Sequence, residues 1–176
     1  MTDLTHQPTA STLPDVDVAP STASDWYEVE AMLHDYLEWL RASTGLEPTV
    51  EQPSFGTEIA DPRRAYSADD VTMLVARTGP QPIGMVAVQL HADRTAELKR
   101  LYVRPFARGR RVADLLVVAA IEDARRLGAS GIWLETVQGL MDPAISVYRR
   151  HGFRAGDDRS ALPLASAIVM SRDVEG

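Results

Sequence analysis

Between Thr95 and Val137 the chain reads as a β-prone strand, a short polar loop, a long amphipathic helix and a second strand, an order that admits few architectures. Thr95 to Val103 is the first strand, and Pro105 to Arg111 is a polar loop rich in arginine. Val112, Leu115, Leu116, Ala119 and Ala120 begin a helix, which Ala124 and Leu127 continue and Gly128 ends. Ile132 to Val137 is the second strand. Two strands joined through a helix form a crossover, so they are expected to lie parallel in one sheet.

The flanking sequence supplies the rest of that sheet. Val71 to Ala76 and Ile83 to Leu90 are strand candidates separated by the turn Gly79-Pro80-Gln81-Pro82, with Gly84 as a candidate bulge. A second turn over His91 to Arg94 leads into Thr95, so these strands form an antiparallel meander. Upstream, Val29, Met32, Leu33, Tyr36, Leu37 and Leu40 recur at helical spacing and predict a helix over 23–42 that ends before Gly45. Thr22 and Asp25 are placed as its capping box, and Val16 to Val18 as a short strand before it. Residues 45–66 carry scattered Pro and Gly, with a helical turn or two expected around Ser54–Ala60 and a cleft wall as their possible use. Downstream, Asp142-Pro143 starts a helix that reaches about His151 and stops at Gly152. Phe153 to Ala155 and Ser166 to Arg172 are the last two strands. Residues 1–15, rich in Thr, Pro, Asp and Ser, are expected to be a flexible tail, and 16–176 a single domain.

Composition removes several classes of function. The chain has 176 residues and no cysteine, which rules out a thiolate nucleophile, a disulfide and a Cys-based metal site. The absence of cysteine fits a reducing cytoplasm, and the start of the chain has neither the basic residues nor the apolar core of a secretory signal. No apolar run is long enough to span a membrane. The four histidines lack ligand spacing, so no metal is expected. Trp26, Trp39 and Trp133 are read as packing residues, any of which is also placed to line a cleft. The net charge of −7 argues against nucleic acid as a partner, although Arg100, Arg104, Arg108, Arg110 and Arg111 crowd into one stretch.

That stretch lies where a strand ends and a long helix begins. The first N–H groups of a helix have no partner within it and point out of its N-terminus, where the helix dipole adds partial positive charge. A phosphate at such an end accepts several main-chain hydrogen bonds at once. Gly109 permits a tight turn and close approach of a ligand, Ala113 keeps the first turn clear, and the arginines add charge. On the loop alone, an anion site and an ordinary solvated basic loop remain equally open.

The segment Leu101 to Ala113 resembles motif A of the GNAT superfamily of acyl-CoA N-acyltransferases, Arg/Gln-x-x-Gly-x-Gly/Ala after a strand ending in Leu-Tyr-Val-x-Pro, with Arg108 at its first position and Ala113 at its last. Ala144 to Phe153, with Tyr148, Gly152 and Phe153, resembles the Ala-x-x-x-Tyr-x-x-x-Gly-Phe signature that follows the fifth strand in that family. The resemblance spans about 16–172 and is specific over 97–153. It implies an α/β (α+β) fold with a mixed, mostly antiparallel sheet of about six to seven strands and about four helices. Arg111 stands where the motif usually has Gly; in an ordinary helical conformation its N–H still faces a phosphate, and its side chain adds charge or bulk there.

The resemblance also implies roles. The amides of Arg110, Arg111, Val112 and Ala113, with Arg108 and Gly109, would cradle the pyrophosphate of acetyl-CoA. Leu101 and Val103 would offer main-chain groups to the pantetheine, as an added strand does, and the Leu101 N–H would polarise the thioester carbonyl. Tyr148 would protonate the departing thiolate. An alkylammonium must lose a proton before it attacks, and Glu97 is the first candidate base, with Glu135 on the neighbouring strand the second. The expected reaction is direct acetyl transfer to a primary amine of a small molecule or peptide. A non-catalytic acyl-CoA-binding module on the same fold is the alternative, and DNA binding through the arginines a distant third. A homodimer through the terminal strands is compatible with the sequence.

Overall fold

The computed structural model describes residues 15–157, 162 and 164–174, so the tail expected over 1–15 lies, except for Asp15, outside the described residues. One sheet of seven strands organises these residues, in the order β1-β2-β3-β4-β5-β7-β6. The strands are β1 (Val16–Pro20), β2 (Val71–Thr78), β3 (Gln81–Leu90), β4 (Thr95–Val103), β5 (Gly131–Val137), β6 (Arg154–Asp157) and β7 (Ala167–Asp173). All neighbouring pairs are antiparallel except β4 and β5, the pair that the strand–helix–strand pattern required to be parallel.

The helices are α1 (Trp26–Thr44), α2 (Pro48–Glu51), α3 (Pro53–Ala60), α4 (Pro62–Ala65), α5 (Val112–Arg126) and α6 (Asp142–Arg150), with a 3-10 turn at Pro105–Ala107. They cover both faces of the sheet. On one face α5 sets Val112, Leu116, Val117, Ala120 and Ala124 against Ile83, Val86, Leu98, Ile132 and Leu134. On the other, Val29, Met32, Leu33 and Leu37 of α1 and Phe55 of α3 meet Met73, Val75, Met85 and Tyr102. Strand β3 runs through the middle and is buried almost throughout, as a strand covered on both sides must be.

Differences from the sequence reading have local causes. Helix α1 starts at Trp26 rather than residue 23, because the Asp25 carboxylate is held outside it: it accepts from the N–H and hydroxyl of Thr22 and from Arg77 on β2. The helix runs on to Thr44 before Gly45 turns left-handed at φ 68°. Residues 45–66 form three short helices rather than one or two turns, each opened by a proline whose missing N–H costs nothing in the first turn.

Two irregularities shape the sheet's centre. The expected bulge at Gly84 is real: Ala76 pairs with Gly84 and Arg77 with Pro82, leaving Ile83 as the extra residue. A side chain at Gly84 would meet the Tyr102 carbonyl at 3.0 Å, so glycine lets β4 and α5 close on β3. The second bulge lies in β4, where Met85 pairs with Tyr102 and Ala87 with Lys99, so Arg100 and Leu101 have no register partner on β3. Arg100 is left-handed there, with φ 59°. Its side chain therefore follows Lys99 onto the α3 face instead of alternating.

Candidate active site

The parallel pairing of β4 and β5 covers only Thr95↔Gly131, Ala96↔Ile132 and Glu97↔Trp133. Beyond Glu97 the two strands part, while β5 stays paired with β7 as far as Val137. A cleft of about 480 Å³ fills the opening, and Leu101 and Val103 on one wall face Tyr148, Val147 and Ala144 of α6 on the other. Leu101 has no register partner on β3 at the bulge or on β5 beyond the split, and it lines this space. Val103 keeps its register with Gly84, and its carbonyl accepts the Arg108 Nε–H at 3.0 Å.

The turn into α5 forms the mouth of the cleft. No side chain caps this helix start, and no main-chain carbonyl takes up the N–H groups of Arg110, Arg111, Val112 or Ala113 among the described residues. These are the unsatisfied donors of a helix N-terminus. Gly109 has φ 74°, and a Cβ there would meet nothing within 4 Å, so its value lies in its backbone conformation and in the open space beside it. Arg108, Gly109, Arg111, Val112 and Ala113 all line the cleft; Arg110 does not, and is exposed beside it.

Arg111 departs from the ordinary helical conformation the sequence reading allowed it. It is the residue before the helix, left-handed at φ 62°, in the conformation that a glycine adopts without strain. The chain thus keeps the turn and holds a side chain in it, which stands exposed at the cleft mouth.

Tyr148 stands deeper, 5% exposed, with its ring 5.8 Å from that of Phe153. Its hydroxyl makes no hydrogen bond among the described residues, and Tyr148 is one of the residues lining the cleft. Burial, with a smaller contribution from Tyr36, holds its phenol well above the usual tyrosine range, so it stays protonated. Tyr36 of α1 faces the same cleft, with Trp39 beside it at a ring separation of 6.2 Å; of the three tryptophans, only Trp39 reaches the cleft. Trp26 stacks on Tyr66, and Trp133 donates to Thr95 Oγ1.

The two candidate bases separate here. A smaller pocket of about 100 Å³ lies on the α1 side of the split, and Glu97 lines it but not the main cleft. Glu97 is bonded to His91 Nε2 at 3.1 Å. Glu135 lines both cavities, and its Oε1 accepts the N–H of Leu162 at 3.1 Å.

Sequence reasoning missed two features of the site. Asp114, one residue beyond the motif, binds Arg150 at the end of α6 and His151 just after it, and ties the helix of Tyr148 to the mouth of the cleft. Glu58 is buried and collects Lys99, Arg100 and Tyr66. Its spacing from Phe55, three residues on one face of α3, was the one available signal.

Residues 29–153 match the family model described as Acetyltransferase (GNAT) family. The chain belongs to the GNAT family. A protein of Schizosaccharomyces pombe named as an uncharacterized N-acetyltransferase is 31% identical over 148 residues, which are 83% of this chain and 86% of that one. The PaiA N-acetyltransferase of Thermoplasma acidophilum, solved with coenzyme A, superposes with a TM-score of 0.70 at 20% identity, covering 90% of this chain and 99% of that one. The yncA protein of Salmonella typhimurium, solved with acetyl-CoA, gives 0.66 at 15% identity over 91% and 94%. The sheet and its helices thus have the fold of these GNAT acetyltransferases. No helix of the described residues is long and apolar enough to cross a membrane, and they hold no group of three or more His, Asp or Glu placed to bind a metal.

Proposed function

We propose that this GNAT acetyltransferase moves an acetyl group from acetyl-CoA directly to a primary amine of a small molecule or peptide. The observation that carries the proposal is one cleft with uncapped main-chain donors at its mouth and the Tyr148 hydroxyl in its depth. The residues present fit the donor substrate. Free N–H groups and arginines suit a diphosphate, and the unpaired edge of β4 suits the amide-bearing pantetheine arm. The two structural neighbours solved with coenzyme A or acetyl-CoA support the choice of cofactor.

Acetyl-CoA supplies a thioester, whose carbonyl takes the amine and whose sulfur leaves as a thiolate. The Leu101 N–H is the donor we assign to the carbonyl oxygen as it gains charge. Tyr148 delivers its proton to the sulfur. Burial keeps the phenol protonated, so the proton is in place when the thiolate forms. Direct transfer is consistent with a chain that has no cysteine to carry an acyl group. Glu135 faces both cavities and is the better placed carboxylate to take the ammonium proton; Glu97, with His91, stands further back on the same side. A cytoplasmic location belongs to the same proposal.

The test is thiol release from acetyl-CoA across a panel of amines. Tyr148→Phe is expected to lower kcat by about a hundredfold or more with KM for acetyl-CoA little changed. Glu135→Gln is expected to lower kcat more than Glu97→Gln does. Binding of acetyl-CoA with no turnover of any amine would favour the non-catalytic module instead.

A further inference from the structure

The wall between the main cleft and the smaller pocket contains a buried cation that the transfer chemistry does not use. The Arg100 side chain is only 7% exposed, yet it lines both cavities. The bulge in β4 puts it on the same face as Lys99, and one carboxylate serves both. Glu58 accepts from Lys99 Nζ at 2.9 Å, from Arg100 Nε at 2.8 Å and from the Tyr66 hydroxyl at 2.6 Å. Two cations on one anion leave a local excess of one positive charge.

The arrangement fixes where that excess is felt. Lys99 spends a further donor on Gln89 Oε1 at 2.7 Å. The Arg100 guanidinium lies over the Phe55 ring at 3.7 Å and gives one weak bond from Nη1 to Gln52 Oε1 at 3.3 Å. The Tyr66 hydroxyl also lies beside the guanidinium, whose planar fork carries five N–H groups, more than these neighbours take up. A buried cation short of acceptors is costly, and a carboxylate meets such a fork edge in a paired geometry. Across the same space stand Glu135 and Glu97, of the opposite sign. Glu51 is a third carboxylate in the lining, so charges of both signs border the pocket.

We infer that the acceptor is amino-acid-like: its carboxylate docks on the open edge of Arg100 while its amine faces the parted strands beside Glu135. This rests on the acetyl-transfer reading and names the acceptor class for it. The nitrogen takes the acetyl group, coenzyme A leaves as the thiol, and the carboxylate serves only for recognition.

The test uses matched pairs on the wild-type protein with acetyl-CoA: tryptophan against tryptamine, and methionine against 3-(methylthio)propylamine. The amino acid of each pair is expected to show a kcat/KM higher by about ten- to a hundredfold. Equal rates, or a preference for the plain amine or for a diamine such as cadaverine, overturn the inference and leave acetyl transfer standing. A parallel titration of the coenzyme A complex with N-acetyltryptophan and N-acetyltryptamine needs no turnover. Preferential binding of the acid without any reaction supports the subsite and removes the transfer reading; equal binding, or no binding of either, overturns the subsite. Arg100→Gln is expected to bring the pair ratio close to one and Arg100→Lys to restore part of it, with a thermal melt reporting whether each variant folds. An unchanged ratio in a folded Arg100→Gln protein overturns the assignment to Arg100. Should neither variant fold, the wild-type pairs decide.

Discussion

Asp114 Oδ1 and Oδ2 each lie 2.9 Å from Arg150 Nη2, joining the first turn of α5 to the last turn of α6. His151 Nε2 reaches the same carboxylate at 3.0 Å. Burial opposes ionisation of Asp114, but the hydrogen bonds from Arg150 and His151 outweigh it and hold the carboxyl below the usual range. The link matters because α5 begins at the proposed diphosphate site and α6 carries Tyr148.

Asp114→Ala is therefore expected to act on both stability and turnover. Arg150 is about half exposed, so screening keeps the loss small, roughly 1 kcal/mol in urea denaturation. Turnover is expected to fall further than stability does, because α6 is freed to shift Tyr148 against the thioester. A double-mutant cycle with Arg150→Ala measures the coupling between the two helices.

Asp25 gives an expectation in acid. Its carboxyl is held at about 2, first by hydrogen bonds from Arg77, against burial, with help from Thr22. A carboxyl lowered in the folded state adds stability that is complete above its unfolded pKa and is lost as pH falls through the folded one. The contribution is about 2 kcal/mol at neutral pH and fades between about pH 4 and pH 2. Asp25→Asn is expected to lower stability at pH 7 and to flatten the acid limb of the stability curve. An acid limb identical to that of the wild type contradicts the assignment.

How far the sequence anticipated these features depends on their range. Strands β2 to β5 and helix α5 were legible because alternation, helical spacing and the stop at Gly128 are local signals. Tyr148 and the turn at Gly109 were legible as cleft residues because each sits in its own short motif, Ala144 to Phe153 and Leu101 to Ala113. The Asp25–Arg77 pair and the Glu58–Arg100 pair were not, since they join residues 52 and 42 positions apart and leave no periodic trace. The left-handed turns at Arg100 and Arg111 were hidden for a different reason. Arginine has no preference for that conformation, so only the surrounding fold imposes it.

Arg111→Gly is expected to stabilise the protein. A non-glycine residue in the left-handed region costs about 1 kcal/mol or more, and glycine's extra freedom in the unfolded chain returns part of that gain. A net rise of about 0.5 kcal/mol in unfolding free energy is the expected result, measured by chemical denaturation. The substitution also removes a cation from the cleft mouth, so the affinity for coenzyme A should become less sensitive to salt.

The most direct measurement is a calorimetric comparison of coenzyme A with pantetheine, which lacks the diphosphate and nucleotide. If the N–H groups of Arg110 to Ala113 and the neighbouring arginines grip the diphosphate, coenzyme A binds and pantetheine is weaker by about a hundredfold or more, a gap that narrows as salt is raised. Equal affinities for the two, or no heat from coenzyme A at all, would contradict the account.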